Sequence, residues 1–399
     1  MVALNLVYPA LHQCPLILQP NRDPNNDQQA TRFTVMTNKL RSVQGLRGLS
    51  IAGVFMSHWY AGASSSGLMP SHWMDTLAWL NLGKYGVELF FMISGFVIAS
   101  SLVRHGSILS FSIDRVARIY PTFAAMHLLV FLTGPFVHYK LLSDISLHEW
   151  LTMFWANALL LPGVFDFPIA QTVAWSLSYE VLFYALAAAT YACLKRQSTG
   201  VAIGLAMVGG VLFVSAHPRA LYFLPGIAAY FAFNQKKFTW RVPDSVAASA
   251  FCLFLLLWSD IHPEDGKTLW QAVSADQYAW VSCTISLFCA SLFFFSVLLG
   301  EGYLHKAFGF SWLVRLGDLS YSFYLLHVLI MFPVKRLISS YIQPHLGSAT
   351  SFLVFGILSF LITLWTARWS RQWLELQAGD IVKRWLHHRL QAHAKYISK

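Results

Sequence analysis

Long runs of apolar residues, each about long enough to cross a lipid bilayer as a helix, dominate this sequence. A bilayer-spanning helix needs about 20 mostly apolar residues, and such runs recur between residues 43 and 368. Hydrophobic residues make up 56% of the chain and charged residues only 12%. Because a water-soluble chain needs far more polar residues to cover its surface, we exclude a soluble protein and expect an all-α, polytopic membrane protein.

The apolar runs predict about ten transmembrane helices. A further run at 150–161 is too short to span comfortably and is followed by Pro162, Gly163 and Pro168, so we expect it to be re-entrant or interfacial. The predicted spans lie near residues 43–60, 83–102, 119–136, 172–194, 200–215, 219–234, 244–259, 278–299, 317–334 and 350–368.

The distribution of basic residues predicts the orientation of these spans. With a cytoplasmic N-terminus, 21 of the 28 Lys and Arg residues fall in inner segments. The positive-inside rule then places both termini in the cytoplasm. The net charge of +10 is spread over short clusters between spans, so we expect no nucleic-acid partner. Five basic residues are assigned to outer loops, namely Lys140, Arg219, Lys267, Lys335 and Arg336.

The predicted spans divide the chain into three segments. Residues 1–40 are predicted to form an N-terminal cytoplasmic arm, residues 41–370 a transmembrane domain, and residues 371–399 a basic cytoplasmic tail. The five cysteines form no CxxC pair and no His-Cys spacing, so we expect neither a disulfide framework nor a metal site.

Ionisable side chains within the predicted spans are candidate functional residues, because they are costly in lipid. Arg47 lies near the inner end of the first span and His58 near its outer end. Their spacing of eleven residues places them on one helix face, about 16 Å apart. Arg115 and Arg118 lie in the inner loop that is predicted after the second span.

The remaining intramembrane groups, Glu88, Glu180 and His327, lie in the outer halves of their spans. Arginines at the inner mouth could hold an anionic donor, while histidine and carboxylate groups perform acid–base chemistry near the far side. A proton-coupled exporter could use the same His and Glu residues as a relay, so the residues alone leave transfer and transport open. We find no two similar halves of the kind common in transporters.

Five segments of the chain resemble motifs of the membrane acyltransferase 3 family, whose members include bacterial integral-membrane O-acyltransferases of O-antigen, exopolysaccharide and related glycans. The resemblance extends over about residues 40–370 and is specific because the five segments occur in the family's order. The segments are LRSVQGLRGLSIAGVFMSHWY (40–60), GKYGVELFFMISGFVI (83–98), RVARIYP (115–121), WSLSYEVLFY (175–184) and LGDLSYSFYLLH (316–327).

The resemblance implies an O-acyltransferase of the inner (plasma) membrane of a bacterium. It would move acetyl from cytoplasmic acetyl-CoA, a co-substrate and not a bound cofactor, to a hydroxyl of a surface or exported saccharide, with membrane lipid as a further partner. Arg47, Arg115 and Arg118 would bind the donor. His58 would act as general base or transient acyl carrier, and Glu88 would fix its tautomer or make a structural hydrogen bond.

Five further residues are candidates for the acceptor site or the cavity lining, namely Ser94, Trp175, Glu180, Tyr324 and His327. Glu180 and His327 could equally be structural partners of each other, because they are predicted at similar depth. Each of the main candidates also has an interpretation that involves no substrate. His58 could be an interfacial histidine at a helix end, Arg47 could snorkel to lipid headgroups, and Arg115 and Arg118 could be topology signals alone.

Overall fold

The computed structural model describes residues 27–234, 239–261, 268–274 and 277–397. Every regular element in these ranges is helical, and the one β-type contact there is an isolated bridge between Pro162 and Phe165. The α-helices are α1 Asp27–Ser64, α2 Gly86–His105, α3 Ile108–Thr133, α4 Leu147–Ala158, α5 Trp175–Lys195, α6 Thr199–Ala216, α7 Phe223–Asn234, α8 Asp244–Asp260, α9 Leu269–Val273, α10 Ala279–Leu299, α11 Tyr303–Ala307, α12 Ser311–Asp318, α13 Ser320–Tyr341, α14 Gln343–Ser370 and α15 Gly379–Ile397. Short 3₁₀ segments occur at Ser71–Trp73, Ala78–Tyr85, Lys140–Leu142 and Pro218–Tyr222, and a π-helical turn joins α14 to α15 at Arg371–Ala378.

The expected all-α, multi-pass class is confirmed. Within the described ranges, seven helical stretches are long and apolar enough to cross a bilayer, and each overlaps a predicted span. The other three predicted spans are also helical, as α1, α7 and α8. α7 and α8 are short, and polar residues including Arg47 and His58 interrupt the apolar run of α1. The total of ten spans and the cytoplasmic termini stay predictions.

The segment RVARIYP was wrongly expected to be an inner loop. It lies inside α3, which begins at Ile108 with the Ser107 side chain as its N-cap and continues through Pro121. Asp114, the residue before this segment, is also charged and has partners in the fold. The Asp114 carboxylate contacts the imidazole of His105 at 2.6 Å and the ammonium of Lys383 at 2.7 Å.

The C-terminal residues form part of the folded domain. Helix α14 continues through the π-helical turn into α15, and the turn and α15 both pack against α3. Lys383 on α15 provides the ion pair with Asp114, and a Cβ atom on Gly379 would lie 2.8 Å from the carbonyl oxygen of Ala117. The helix is therefore continuous across residue 370, and the division into a transmembrane domain and a cytoplasmic tail stays a prediction. At the other end, residues 1–26 of the predicted arm lie outside the described residues, and 27–40 are the start of α1.

The short apolar run near 150–161 forms α4, whose twelve residues span about 18 Å, less than a bilayer core. Ser146 and Glu149 form a capping box at its start. At its end the buried Asn157 side chain donates to the carbonyl of Pro168 at 3.0 Å and accepts from the amide of Ala170 at 3.0 Å. These bonds fix the loop that leads into α5.

Helix α1 is the central helix, contacting α2, α12, α13 and α14. Its crossing with α12 is close because glycines face each other. A Cβ atom on Gly317 would overlap the carbonyl oxygen of Gln44, and one on Gly48 would overlap that of Leu313. Small residues allow helix backbones to approach in this way, and the crossing holds the part of α1 that carries Arg47.

We predict that Gly317→Ala destabilises the protein, because the added methyl group must push α12 away from α1. Overpacking of this kind costs about 1–3 kcal/mol, which should lower the melting temperature of the detergent-purified protein. Gly204→Ala is the matched control, because a Cβ atom on Gly204 would meet no atom within 4 Å. An unchanged melting temperature for Gly317→Ala would contradict the close crossing.

Candidate active site

Three arginines from two helices form the first of two polar clusters. Arg47 on α1 is near enough to Arg118 on α3 for their charges to interact. The charge of Arg115 interacts with that of Arg118 as well. The structure thus brings together the three residues that the sequence predicted as donor-binding. We call Arg47, Arg115 and Arg118 the arginine cluster.

The arginine cluster has few acceptors of its own. Arg47 donates a long hydrogen bond of 3.4 Å to the Gln44 side chain. The guanidinium of Arg115 lies over the ring of Phe111, 5.7 Å from its centre, and its buried Nε has no hydrogen-bond partner within the described part of the chain. Guanidinium groups that are near one another could together bind an anion with several oxygen atoms.

Two of the predicted cavity residues, Ser94 and Glu180, meet beside the arginine cluster. The Glu180 carboxylate accepts hydrogen bonds from the hydroxyls of Ser94, at 2.7 Å, and Tyr184. The charge of Glu180 interacts with those of Arg47 and Arg115. Glu180 therefore belongs with the arginines and is not paired with His327, which is the alternative that the sequence left open.

Sequence reasoning missed a second carboxylate at the arginine cluster. Glu375, on the π-helical turn, accepts a hydrogen bond of 3.2 Å from Ser322, and its charge interacts with that of Arg47. Nearby, the hydroxyl of Tyr321 donates to the carbonyl of Ile119 at 2.7 Å and joins α13 to α3. An acidic residue in a basic C-terminal segment was the available signal, but its helix was not predicted.

The second cluster is a pair of imidazoles on α1 and α13. The ring centres of His58 and His327 lie 5.1 Å apart with the planes inclined at 56°. His58 is half-buried, whereas His327 is completely buried. Beside His58, the Trp59 indole donates to the carbonyl of Phe352 at 3.0 Å and fixes this end of α1 against α14. We call His58 and His327 the histidine pair.

The backbone of α13 orients His327. Its Nδ1 donates to the carbonyls of Tyr324 at 2.8 Å and Phe323 at 3.2 Å, and its Nε2 has no hydrogen-bond partner among the residues described. The hydroxyl of Tyr324 forms a hydrogen bond of 2.9 Å with that of Ser176 on α5. Tyr324 and His327 thus lie one helical turn apart on α13, and their role in an acceptor site stays a prediction.

Glu88 has a different partner from the one that was expected. Its fully buried carboxylate accepts from Arg219 at 2.6 Å and 3.0 Å and from the Trp258 indole at 2.9 Å. The carboxylate is thus engaged away from His58, and these bonds supply the structural role that the sequence left open for it. The orienting role toward His58 has no support in its contacts.

Arg219, assigned from the sequence to an outer loop, is instead 8% exposed. Its guanidinium also lies over the ring of Trp175, 4.4 Å from the ring centre, so one buried ion pair fixes the first residue of α5. Glu88 cannot lie unpaired in an apolar run, and this requirement was the signal for a cationic partner. The sequence did not identify Arg219 as that partner, because Arg219 stands at the edge of its span.

The geometry defines a multi-pass helical membrane protein in which one continuous helix joins the arginine cluster to the histidine pair about 16 Å away. Groups of three His, Cys, Asp or Glu side chains that could hold a metal ion do not occur in the described ranges.

The chain belongs to a known protein family. The model of the acyltransferase 3 family, described as an acyltransferase domain, matches residues 40–368. This range contains both clusters and ends before Glu375 and α15. The membrane acyltransferase family expected from the five motifs is therefore confirmed.

Two curated proteins are similar to parts of the chain. Nodulation protein 10 of Rhizobium leguminosarum bv. viciae is 28% identical over 112 residues, which is 25% of this chain and 30% of that protein. A protein of Komagataeibacter xylinus with the provisional name membrane-bound transacylase BcsY is 31% identical over 160 residues, 37% of this chain and 36% of that protein. The matched segments thus cover about a third of each relative's length. No solved structure gives a significant match.

We predict that the ion pair between Glu88 and Arg219 is required for folding. Arg219→Ala should destabilise the protein by about 3–5 kcal/mol, because it leaves a buried carboxylate without its counter-charge. The double variant Glu88→Met with Arg219→Met should recover most of this loss, because apolar replacement of both partners removes the unpaired charge. Thermal unfolding of the purified variants measures both effects.

Glu301→Gln is the control, because it neutralises an exposed carboxylate. A wild-type melting temperature for Arg219→Ala, or a double variant that is less stable than Arg219→Ala, would contradict the structural role of the pair.

Proposed function

We propose that this protein is an O-acyltransferase that moves acetyl from cytoplasmic acetyl-CoA to a hydroxyl of a saccharide at the cell surface or in export. The main support for the proposal is that helix α1 connects the arginine cluster with the histidine pair. Arg47 and His58 lie on the same face of α1, the first beside Arg118 and the second beside His327. Family membership over residues 40–368 supports acyl transfer as the reaction.

The arginine cluster binds the phosphates of the donor. The Nε of Arg115 has no acceptor among the described residues, and the bond from Arg47 to Gln44 is long. Guanidinium groups match phosphate oxygens in a bidentate fork. The flanking carboxylates Glu180 and Glu375 reduce the repulsion between the arginine charges when no donor is bound. With the phosphates held here, the thioester end of the donor extends along α1 toward His58.

His58 performs the chemistry. As a general base it takes the proton of the acceptor hydroxyl while that oxygen attacks the thioester carbonyl, and CoA leaves as the thiol. As an acyl carrier it attacks the thioester itself and passes the acyl group on. Both routes need a neutral imidazole that presents a lone pair to the substrate. The half-buried side chain of His58 is open to such a contact.

The choice of a saccharide as acceptor and of acetyl as the transferred group rests on the resemblance to the family. The name transacylase, carried by one relative, supports transfer to an acceptor over hydrolysis. Transfer is tested with protein reconstituted in lipid vesicles, radiolabelled acetyl-CoA and a panel of defined oligosaccharides. Labelled oligosaccharide in the wild-type reaction supports the proposal. If neither CoA release nor label transfer occurs with any member of the panel, an exporter function takes its place.

We predict that Arg115→Ala and Arg118→Ala each weaken the binding of CoA. A charge-assisted contact to phosphate is worth about 1.5–3 kcal/mol, or roughly tenfold to a hundredfold in affinity. Lysine at these positions should restore binding only in part, because a point charge cannot form the fork. Calorimetric titration with CoA and with dephospho-CoA measures the effect.

The matched control is Arg315→Ala, which removes an exposed arginine from α12 and should leave the affinity unchanged. If both cluster variants bind CoA as tightly as Arg315→Ala does, the donor site lies elsewhere.

We predict that His58→Ala abolishes acetyl transfer while the folded protein still binds CoA. A general acid–base group contributes about 10²- to 10⁴-fold to rate, and the arginine cluster lies about three helical turns away. The exposed His72 provides the control variant His72→Ala, which should transfer at the wild-type rate. Retention of more than about a tenth of wild-type transfer by His58→Ala would remove this residue from the chemistry.

A further inference from the structure

The buried Nε2 atom of His327 is a polar atom without a hydrogen-bond partner among the described residues. His327 has no exposed surface, and Nε2 makes no hydrogen bond to any residue in the part of the chain that is described. Leaving a buried hydrogen-bonding group unsatisfied costs about 1–3 kcal/mol. Such a group in a native protein calls for an explanation in terms of function.

The tautomer of His327 is fixed by its other ring nitrogen. Nδ1 faces the backbone carbonyls of Tyr324 and Phe323. A carbonyl oxygen can only accept a hydrogen bond, so Nδ1 must carry the proton. A neutral imidazole protonated at Nδ1 has a lone pair at Nε2. His327 therefore offers a buried acceptor in a fixed orientation.

The ring of His58 is the ionisable group within reach of this acceptor. Two imidazoles joined by an N–H···N bond of about 2.9 Å have ring centres about 5 Å apart, and the centres of His58 and His327 lie 5.1 Å apart. The two rings are thus close enough for a bond between them after a reorientation of the His58 ring. Glu88, the other candidate for this role, is already bound by Arg219 and Trp258.

We propose that His327 is the positioning residue for His58. By accepting the N–H of His58 at Nε2, it leaves the lone pair of the second His58 nitrogen directed at the substrate. This is the role of the third group in a nucleophile–base–orienter triad, performed by a neutral imidazole in place of a carboxylate. The inference rests on the proposed acyl transfer, and it applies to His58 as base and as acyl carrier.

Two amide substitutions separate this role from a merely structural one. In His327→Gln the amide oxygen can reach the position of Nε2, so an acceptor for His58 is kept. In His327→Asn the shorter side chain can still donate to the α13 carbonyls as Nδ1 does, but it presents no acceptor to His58. A positioning role therefore predicts that His327→Gln is the active variant. A purely structural role predicts that His327→Asn is better tolerated.

The experiment measures the acetyl transfer rate, the CoA affinity and the melting temperature of both variants in lipid vesicles or detergent. We expect His327→Gln to transfer within about tenfold of wild type. We expect His327→Asn to lose about 10²-fold or more, since disturbing the orienting group of a Ser-His-Asp triad costs about 10⁴-fold. Both variants should bind CoA with wild-type affinity, because the arginine cluster is unchanged.

Equal transfer by the two variants, whether full or absent, or faster transfer by His327→Asn, would overturn the positioning role. These outcomes differ from a failure of the proposed function, in which the wild-type protein transfers no acetyl group or His58→Ala remains active.

Discussion

Burial of charge among apolar helices is the constraint on which this structure depends. Removing an ionised group from water costs several kcal/mol unless the protein supplies a partner. For Glu88 the partners are Arg219 and Trp258, and Arg219 in turn lies over Trp175. One satisfied ion pair therefore ties α2, α5 and α8 to the 3₁₀ segment before α7, close to the start of α5 where Ser176 meets Tyr324.

The two functional clusters differ from this ion pair because their polar groups are incompletely matched. Among the described residues, the buried Nε of Arg115 has no acceptor and the buried Nε2 of His327 has no donor. A buried polar atom without a partner costs stability, and the carboxylates Glu180 and Glu375 offset part of the positive charge at Arg47. The donor of the reaction would supply the missing acceptors at one end of α1, and His58 the missing donor at the other.

Much of the fold and part of the site could be predicted from the sequence, for identifiable physical reasons. Apolar length identifies a span, and the spacing of Arg47 and His58 fixes a shared helix face whatever surrounds it. Pairings between distant segments carry no such periodic signal. The partner of Glu88 was missed because Arg219 stands at a span edge where a loop charge is also expected. The start of α3 and the role of Glu375 were not predicted, because charged residues in a sequence usually indicate a loop or a tail. Their helices become predictable only when the partners of these charges are known, as Lys383 is for Asp114.

The central claim is that α1 carries the donor at Arg47 and the chemistry at His58. The most direct measurement is an electron cryomicroscopy structure of the protein with CoA bound. The account predicts that the phosphates contact Arg47, Arg115 and Arg118, and that the pantetheine arm follows α1 so that the thiol lies beside His58. Phosphates bound away from these arginines, or a thiol directed away from the histidine pair, would contradict it.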